Sequence, residues 1–219
     1  MLVTCWSVKG GVGTTVVSVA LATTLARVHA LDGGALLVDL AGDVPATLGL
    51  PDPRDPGLTG WTSAGAEVAA DALARLELAV APHLALLPRG LGTPGPTARH
   101  EVLARLLAAE PRPVVVDAGV VGPGCTALPL VAEATRSLLV TRSCYLGLRR
   151  AIDLPVRPSG VVLLREPGRT MGRDDVEHVV GAPVVADIPV DPAVARAVDA
   201  GVLARRVPRA LARSLRAAA

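Results

Sequence analysis

The segment that most constrains this chain is Lys9-Gly10-Gly11-Val12-Gly13-Thr14-Thr15, set between a strand-like run and a helix-like one. Residues 2–8 are apolar and rich in β-branched side chains, which favours a strand. From Thr14 onward, Val17, Leu21, Leu25 and Val28 recur on one face of a helix. Three glycines at that junction let the backbone curl, so that successive N–H groups converge on an anion. The helix starting near Thr14 adds the positive end of its dipole. A glycine-rich loop in this strand–loop–helix setting reads as a phosphate cradle. Gly10, Gly11, Val12, Gly13, Thr14 and Thr15 are therefore the candidate cofactor-binding residues, with the Thr15 hydroxyl placed to meet Mg²⁺. The simpler alternative is a glycine turn that only joins strand to helix.

The rest of the chain repeats the alternation. Apolar runs at 35–40, 84–87, 114–117, 137–141, 160–164 and 184–188 have strand length. Helical periods occupy 66–76, 97–109, 127–134 and 174–180, with two more starting at Pro192 and near Pro208. Asp71 and Arg75 form a plausible pair one turn apart, and Thr97 is a candidate cap. The stretch 51–60, rich in Pro, Asp and Gly, reads as a surface loop. Near-continuous apolar strands between helices predict an α/β fold: a doubly wound, mostly parallel sheet flanked by helices, in one domain over 1–219. Its ligand site belongs at the carboxyl ends of the strands.

Two carboxylates sharpen that site. Asp39 and Asp117 each end an apolar strand, where an unpaired charge is costly. Coordination of Mg²⁺ supplies a reason for such a placement; a helix cap or an arginine salt bridge is the alternative. Composition removes other classes. Aromatics are 1% of the chain and Phe is absent, which argues against base-stacking recognition of single strands. Cys5, Cys125 and Cys144 are odd in number and form no C-x-x-C pair, so free thiols in a reducing cytosol fit better than disulfides or zinc. His29, His83, His100 and His178 show no metal-ligand spacing. No apolar run reaches the ~20 residues that span a bilayer. Of 22 Lys plus Arg, only Lys9 is a lysine, an imbalance typical of a GC-rich genome that makes the one retained lysine conspicuous.

The loop KGGVGTT resembles the deviant Walker-A motif of the ParA/MinD family, usually written KGGxGK[ST]. The likeness runs along nearly the whole chain. LLVDL with Asp39 resembles the family's second acidic motif, and VVVD with Asp117 its Walker B strand. LALLPRG, SLLVTRSCYLGLRRA and IPVDPAVARAVDAG resemble later units. The resemblance implies ATP (or ADP) and Mg²⁺ bound between two subunits, so that nucleotide drives homodimerisation. It makes Lys9, reaching to the partner's nucleotide, and Asp39 the catalytic candidates. Thr15 and Asp117 become the metal candidates.

Three departures qualify it. Thr14 stands where the family has the lysine that contacts the β- and γ-phosphates. Ala41 stands at the second Asp of Asp-x-Asp, which positions the attacking water; Asp43 is either a substitute or the cap of the next short helix. Leu164 stands where an Asn reads adenine; Arg165 after it is either a base or phosphate contact or an exposed loop arginine. GGVGTT also resembles the CpaE/TadZ branch, whose members place pilus or secretion machinery in the cell.

The function implied is a nucleotide-dependent dimerisation switch in intracellular positioning of pilus or secretion machinery, septum or chromosomes, with weak ATP hydrolysis. The alternative is a degenerate scaffold that keeps the fold without an ATPase cycle. A partner protein from a positioning or assembly system is implied, as is a cytoplasmic chain recruited to a pole, septum or membrane surface. Arg206, Arg209, Arg213 and Arg216 form a basic face near the end. That face is either the solvated side of a packed helix or a weak contact with DNA or anionic membrane. Trp61 packs on the sheet or meets a partner.

Overall fold

The computed structural model describes residues 1–65, 70–153 and 156–218. Its strands are β1 (Leu2–Ser7), β2 (Ala35–Asp39), β3 (Leu78–Ala81), β4 (Leu84–Leu87), β5 (Val114–Val120), β6 (Arg136–Arg142), β7 (Gly160–Arg165) and β8 (Val184–Pro189). They form one sheet in the order β3-β4-β2-β5-β1-β6-β7-β8. Every adjacent pair is parallel except β3 with β4. β1 lies at the centre of the parallel part, so the loop that leaves it opens at the middle of the sheet's carboxyl edge.

The central strands are buried on both faces, which is why they read as unbroken apolar runs. On one face Val3, Leu37, Val115, Val140 and Val162 pack under α1 (Thr14–Val28), α2 (Val44–Thr47), α8 (Pro192–Asp199) and α9 (Arg209–Leu215). On the other, Trp6, Leu36, Val116, Leu139 and Val161 pack under α3 (Gly57–Ser63), α4 (Thr97–Ala108), α5 (Leu128–Ala132), α6 (Tyr145–Ala151) and α7 (Arg173–Val180). The core is almost wholly aliphatic. Its one large aromatic at the centre, Trp6, is fully buried, and its indole N–H donates to Ser137 Oγ at 2.9 Å.

The seven expected strands are all present, and α1 has the expected limits. Val28 departs from the predicted face: at the helix end it is exposed, while Val17, Leu21 and Leu25 are buried. Thr97 opens α4 from inside the helix, after Pro96, and no side chain caps it. Of the predicted helix at 66–76, residues 66–69 lie outside the described residues. The remainder forms 3-10 turns at Ala70–Ala72 and Ala74–Leu76, with the Asp71–Arg75 pair on the surface.

Two elements were not expected. Within the predicted loop at 51–60, α3 begins at Gly57. That residue has φ +52, and a Cβ on it would lie 2.5 Å from the Pro88 carbonyl oxygen. The helix start docks on the end of β4, with Leu58 N–H donating to Pro88 O and Thr59 N–H to Arg89 O. Glycine is needed for that approach, so a helix start looks like loop composition. The second is β3, a four-residue strand turned antiparallel onto β4.

β3 is anchored by Arg112, which forks onto Glu77, the residue before the strand, at 2.8 and 3.0 Å. Its Nε also donates to Glu110 at 2.7 Å. All three side chains are half-buried, and bidentate pairs of this kind contribute more than fully exposed ones. Arg112→Ala is therefore expected to destabilise the protein by about 1–2 kcal/mol. Urea unfolding checks this, and an unchanged midpoint would show that the fork is not what holds the edge strand.

Candidate functional site

The loop after β1 needs left-handed backbone at two places, Gly11 (φ +73) and Gly13 (φ +102). A Cβ on Gly13 would also lie 2.8 Å from Leu164 Cδ1. Only glycine combines that φ with that approach. Val12 between them is buried, so its side chain pins the loop to the core while its backbone remains in the curl. Helix α1 starts at once on Thr14, and its first free N–H groups face the carboxyl edge of the sheet.

A cavity of about 610 Å³ opens at this edge, a volume suited to a small ligand. Gly10, Gly11, Gly13, Thr14 and Thr15 line it. Thr14 is buried and Thr15 half-buried. Lys9 is half-buried but is not part of the lining, and among the described residues it forms no ion pair. The loop therefore offers hydroxyls and backbone donors to the cavity but no charge.

Beneath the loop lie Asp39 and Asp117. They are register partners on adjacent strands β2 and β5 and fully buried, so both side chains stand on the α1 face. Asp39 Oδ1 accepts from Gly42 N–H at 2.6 Å, and Asp117 Oδ1 from Gly119 N–H at 3.3 Å. The Oδ2 atom of each is buried without a hydrogen-bond partner. Burial pushes Asp39 up to about 7, more than the Gly42 bond lowers it, and Asp117 adds to the rise. Burial likewise raises Asp117 to about 6, only partly offset by the nearby Thr15 hydroxyl. Among the described residues no arginine pairs with either carboxylate.

Two orphaned carboxylate oxygens and an adjacent threonine hydroxyl fit a divalent cation that keeps most of its ligands from phosphate and water. They do not form a dedicated cage: among the described residues no group of three or more His, Cys, Asp or Glu is placed to hold a metal.

The residues at the departures take definite positions. The Ala41 carbonyl accepts from Arg89 Nη1 at 2.9 Å. Asp43 precedes α2 without a side-chain capping bond and lines the cavity. Leu164 packs on the loop at Gly13. Arg165 is the last residue of β7, not a loop residue, and pairs with Asp187 at 2.9 Å.

Trp61 is buried, with the Arg99 guanidinium 4.2 Å over its ring, so it packs within the chain. The thiol of Cys5 is buried and pushed up to about 12, as a packing cysteine should be. In α9 the leucines Leu211 and Leu215 are in the core, while Arg209 and Arg213, and Arg206 and Arg216 outside its two ends, are exposed. Its apolar face is thus spent on α1 and β8.

Other cavity residues had no signal in the sequence pattern: Thr59 and Thr62 come from α3, His100 from α4, Arg142 from β6 and Arg89 from the segment after β4. Only the fold of the sheet edge brings them together.

A model of the CobQ/CobB/MinD/ParA nucleotide binding domain matches residues 3–204. The chain belongs to this family. No curated protein matches it. Among solved structures, it is similar to a ParA family ATPase from Chlorobium tepidum TLS, with a TM-score of 0.76 and 21% identity over 98% of this chain and 95% of that one. MinD from Aquifex aeolicus gives 0.76 at 17% identity, over 98% and 93%. MinD from Pyrococcus horikoshii OT3, solved with Mg-ADP, gives 0.72 at 18% identity, over 97% and 91%. Identities this low speak for the fold: the doubly wound P-loop NTPase type, which this member of the CobQ/CobB/MinD/ParA family shares.

Proposed function

We propose that this protein binds ATP or ADP with Mg²⁺ in the 610 Å³ cavity and acts as a nucleotide-dependent dimerisation switch in intracellular positioning. The observation that carries the reading is the pair of buried, half-partnered carboxylates under a glycine loop. Such an arrangement is costly unless a ligand completes it. The loop belongs to the deviant Walker-A type, in a single domain over 1–219 nearest the CpaE/TadZ branch. A cytoplasmic chain recruited to its site by a partner protein fits the absence, among the described residues, of any helix long and apolar enough to cross a membrane.

The roles follow from the residues. Backbone N–H groups from Gly10 to Thr15 hold the phosphates. Thr15 and Asp117 hold the cation, with Asp39 beside them; when bound, Mg²⁺ neutralises phosphate charge. Lys9, outside the cavity lining, is free to serve a second subunit's nucleotide. Hydrolysis is slow, because phosphoryl transfer depends on positioning and charge. Position 41 has no carboxylate to orient water, and Thr14 adds no charge.

The same two residues favour the second reading, a scaffold that keeps the fold without the cycle. Sedimentation velocity with and without Mg-ATP separates them. The switch predicts a dimer with Mg-ATP and a monomer without it, and Lys9→Ala abolishing the difference. A sedimentation coefficient indifferent to nucleotide selects the scaffold.

A further inference from the structure

We propose that Arg142 supplies the positive charge that Thr14 lacks, donating to a nucleotide phosphate from the flank of the loop. The assignment rests on the nucleotide reading above. Arg142 ends β6, the strand beside β1. The pairing of Trp6 with Leu139, carried three residues on, brings Arg142 level with Lys9 at the entrance of the loop. Strand alternation puts it on the face of Cys5 and Asp117, since Cys5 pairs with both Leu138 and Asp117. Arg142 lines the same cavity as Gly10, Gly11, Gly13, Thr14 and Thr15.

The hydrogen bonding of Arg142 is incomplete. Nη1 donates to Glu166 Oε1 at 2.6 Å, while Nε is buried with no partner. A guanidinium carries five donors in a planar fork that suits phosphate oxygens. The carboxylate it rests on is shared: Glu166 Oε2 accepts from Arg169 at 2.6 and 2.9 Å. If Arg142 turns to a phosphate, Arg169 still neutralises Glu166, so release strands no charge.

The cavity's other arginine fits the role less well. Arg89 follows β4, three places from β1 in the sheet, and is committed to the Ala41 carbonyl.

The test is titration of ADP and of adenosine, in Mg²⁺, into wild type, Arg142→Gln, Arg142→Lys and Glu166→Gln. A charge-assisted hydrogen bond of this kind corresponds to a loss of about 10- to 100-fold. Arg142→Gln should weaken ADP by that factor and leave adenosine nearly unchanged, because the contact is to phosphate. Arg142→Lys should keep part of the affinity through its charge. Glu166→Gln, which removes the competing carboxylate, should tighten ADP.

A merely structural arginine would not give tighter binding on loss of its partner. ADP binding by Arg142→Gln equal to wild type, an equal loss for adenosine, or weaker ADP binding by Glu166→Gln would overturn the proposal. Wild type that binds no ADP would overturn the nucleotide reading itself, an outcome distinct from all of these.

Discussion

Gly13→Val is expected to lose ADP binding by more than about 100-fold while the sheet still folds. Gly13 sits at φ +102, and any Cβ there is aimed at Leu164 Cδ1 from 2.8 Å. The substitution forces the loop out of its curl and turns its N–H groups from their common centre. The strain adds a modest destabilisation of roughly 1–3 kcal/mol. The two causes can be separated. In Gly13→Ala with Leu164→Ala the clash is relieved but the left-handed backbone is not, so stability recovers more than binding does. Gly10→Ala is the control: a Cβ there meets only Val120 Cγ2, at 4.0 Å, and the unfolding midpoint should not move. If Gly13→Val binds ADP as wild type does, the loop is only a turn.

Asp39→Asn and Asp117→Asn should move stability and ligand binding in opposite directions. In the folded chain these carboxyls stand at about 7 and about 6, against an ordinary value of 3.8 when unfolded. The folded state thus holds more protons than the unfolded state between about pH 4 and pH 7. Stability without ligand is full below pH 4, falls as pH rises through that window, and levels off above it. The two carboxyls are register partners on one sheet face, and Asp117 adds to the rise at Asp39. Taken together, the two raised carboxyls correspond to a fall of several kcal/mol.

Either amide substitution removes part of that fall and makes the ligand-free protein more stable at pH 8. The same change should weaken Mg²⁺-dependent ADP binding by at least about tenfold. Urea midpoints at pH 5 and pH 8, read beside ADP titrations, check both signs. A variant less stable than wild type at pH 8 would mean that these carboxylates hold the fold and are not waiting for a ligand.

The parts of this site legible in the sequence are those with local causes. The loop is legible because φ above zero and close packing demand glycine at Gly11 and Gly13. Asp39 and Asp117 stand out because a carboxylate closing an apolar run has no local explanation; Asp39 does end β2, whereas β5 continues past Asp117 to Val120. The strands are legible because a parallel sheet covered on both faces leaves no polar alternation to confuse with a loop.

What escaped depends on distant parts of the chain. α3 hides in Pro and Gly composition, since its glycine serves a contact with the end of β4. β3 is held by Arg112, more than thirty residues beyond it. Arg142 and Arg89 reach the cavity only through the strand order, which places β6 beside β1 and β4 beside β2. No periodicity within either segment records that order. Asp43 shows the reverse. A helix-capping position is easy to read from sequence, yet its side chain makes no capping bond, and the residue lines the cavity.

Whether the glycine loop and the two carboxylates form one Mg²⁺-nucleotide site is decided by calorimetric titration of the wild-type chain with ATP, with and without Mg²⁺. One nucleotide per chain should bind saturably, with a Kd below about 1 mM, and binding should weaken sharply when Mg²⁺ is withheld. Absence of binding at several times that concentration, or binding indifferent to Mg²⁺, would mean that loop and carboxylates are not one site.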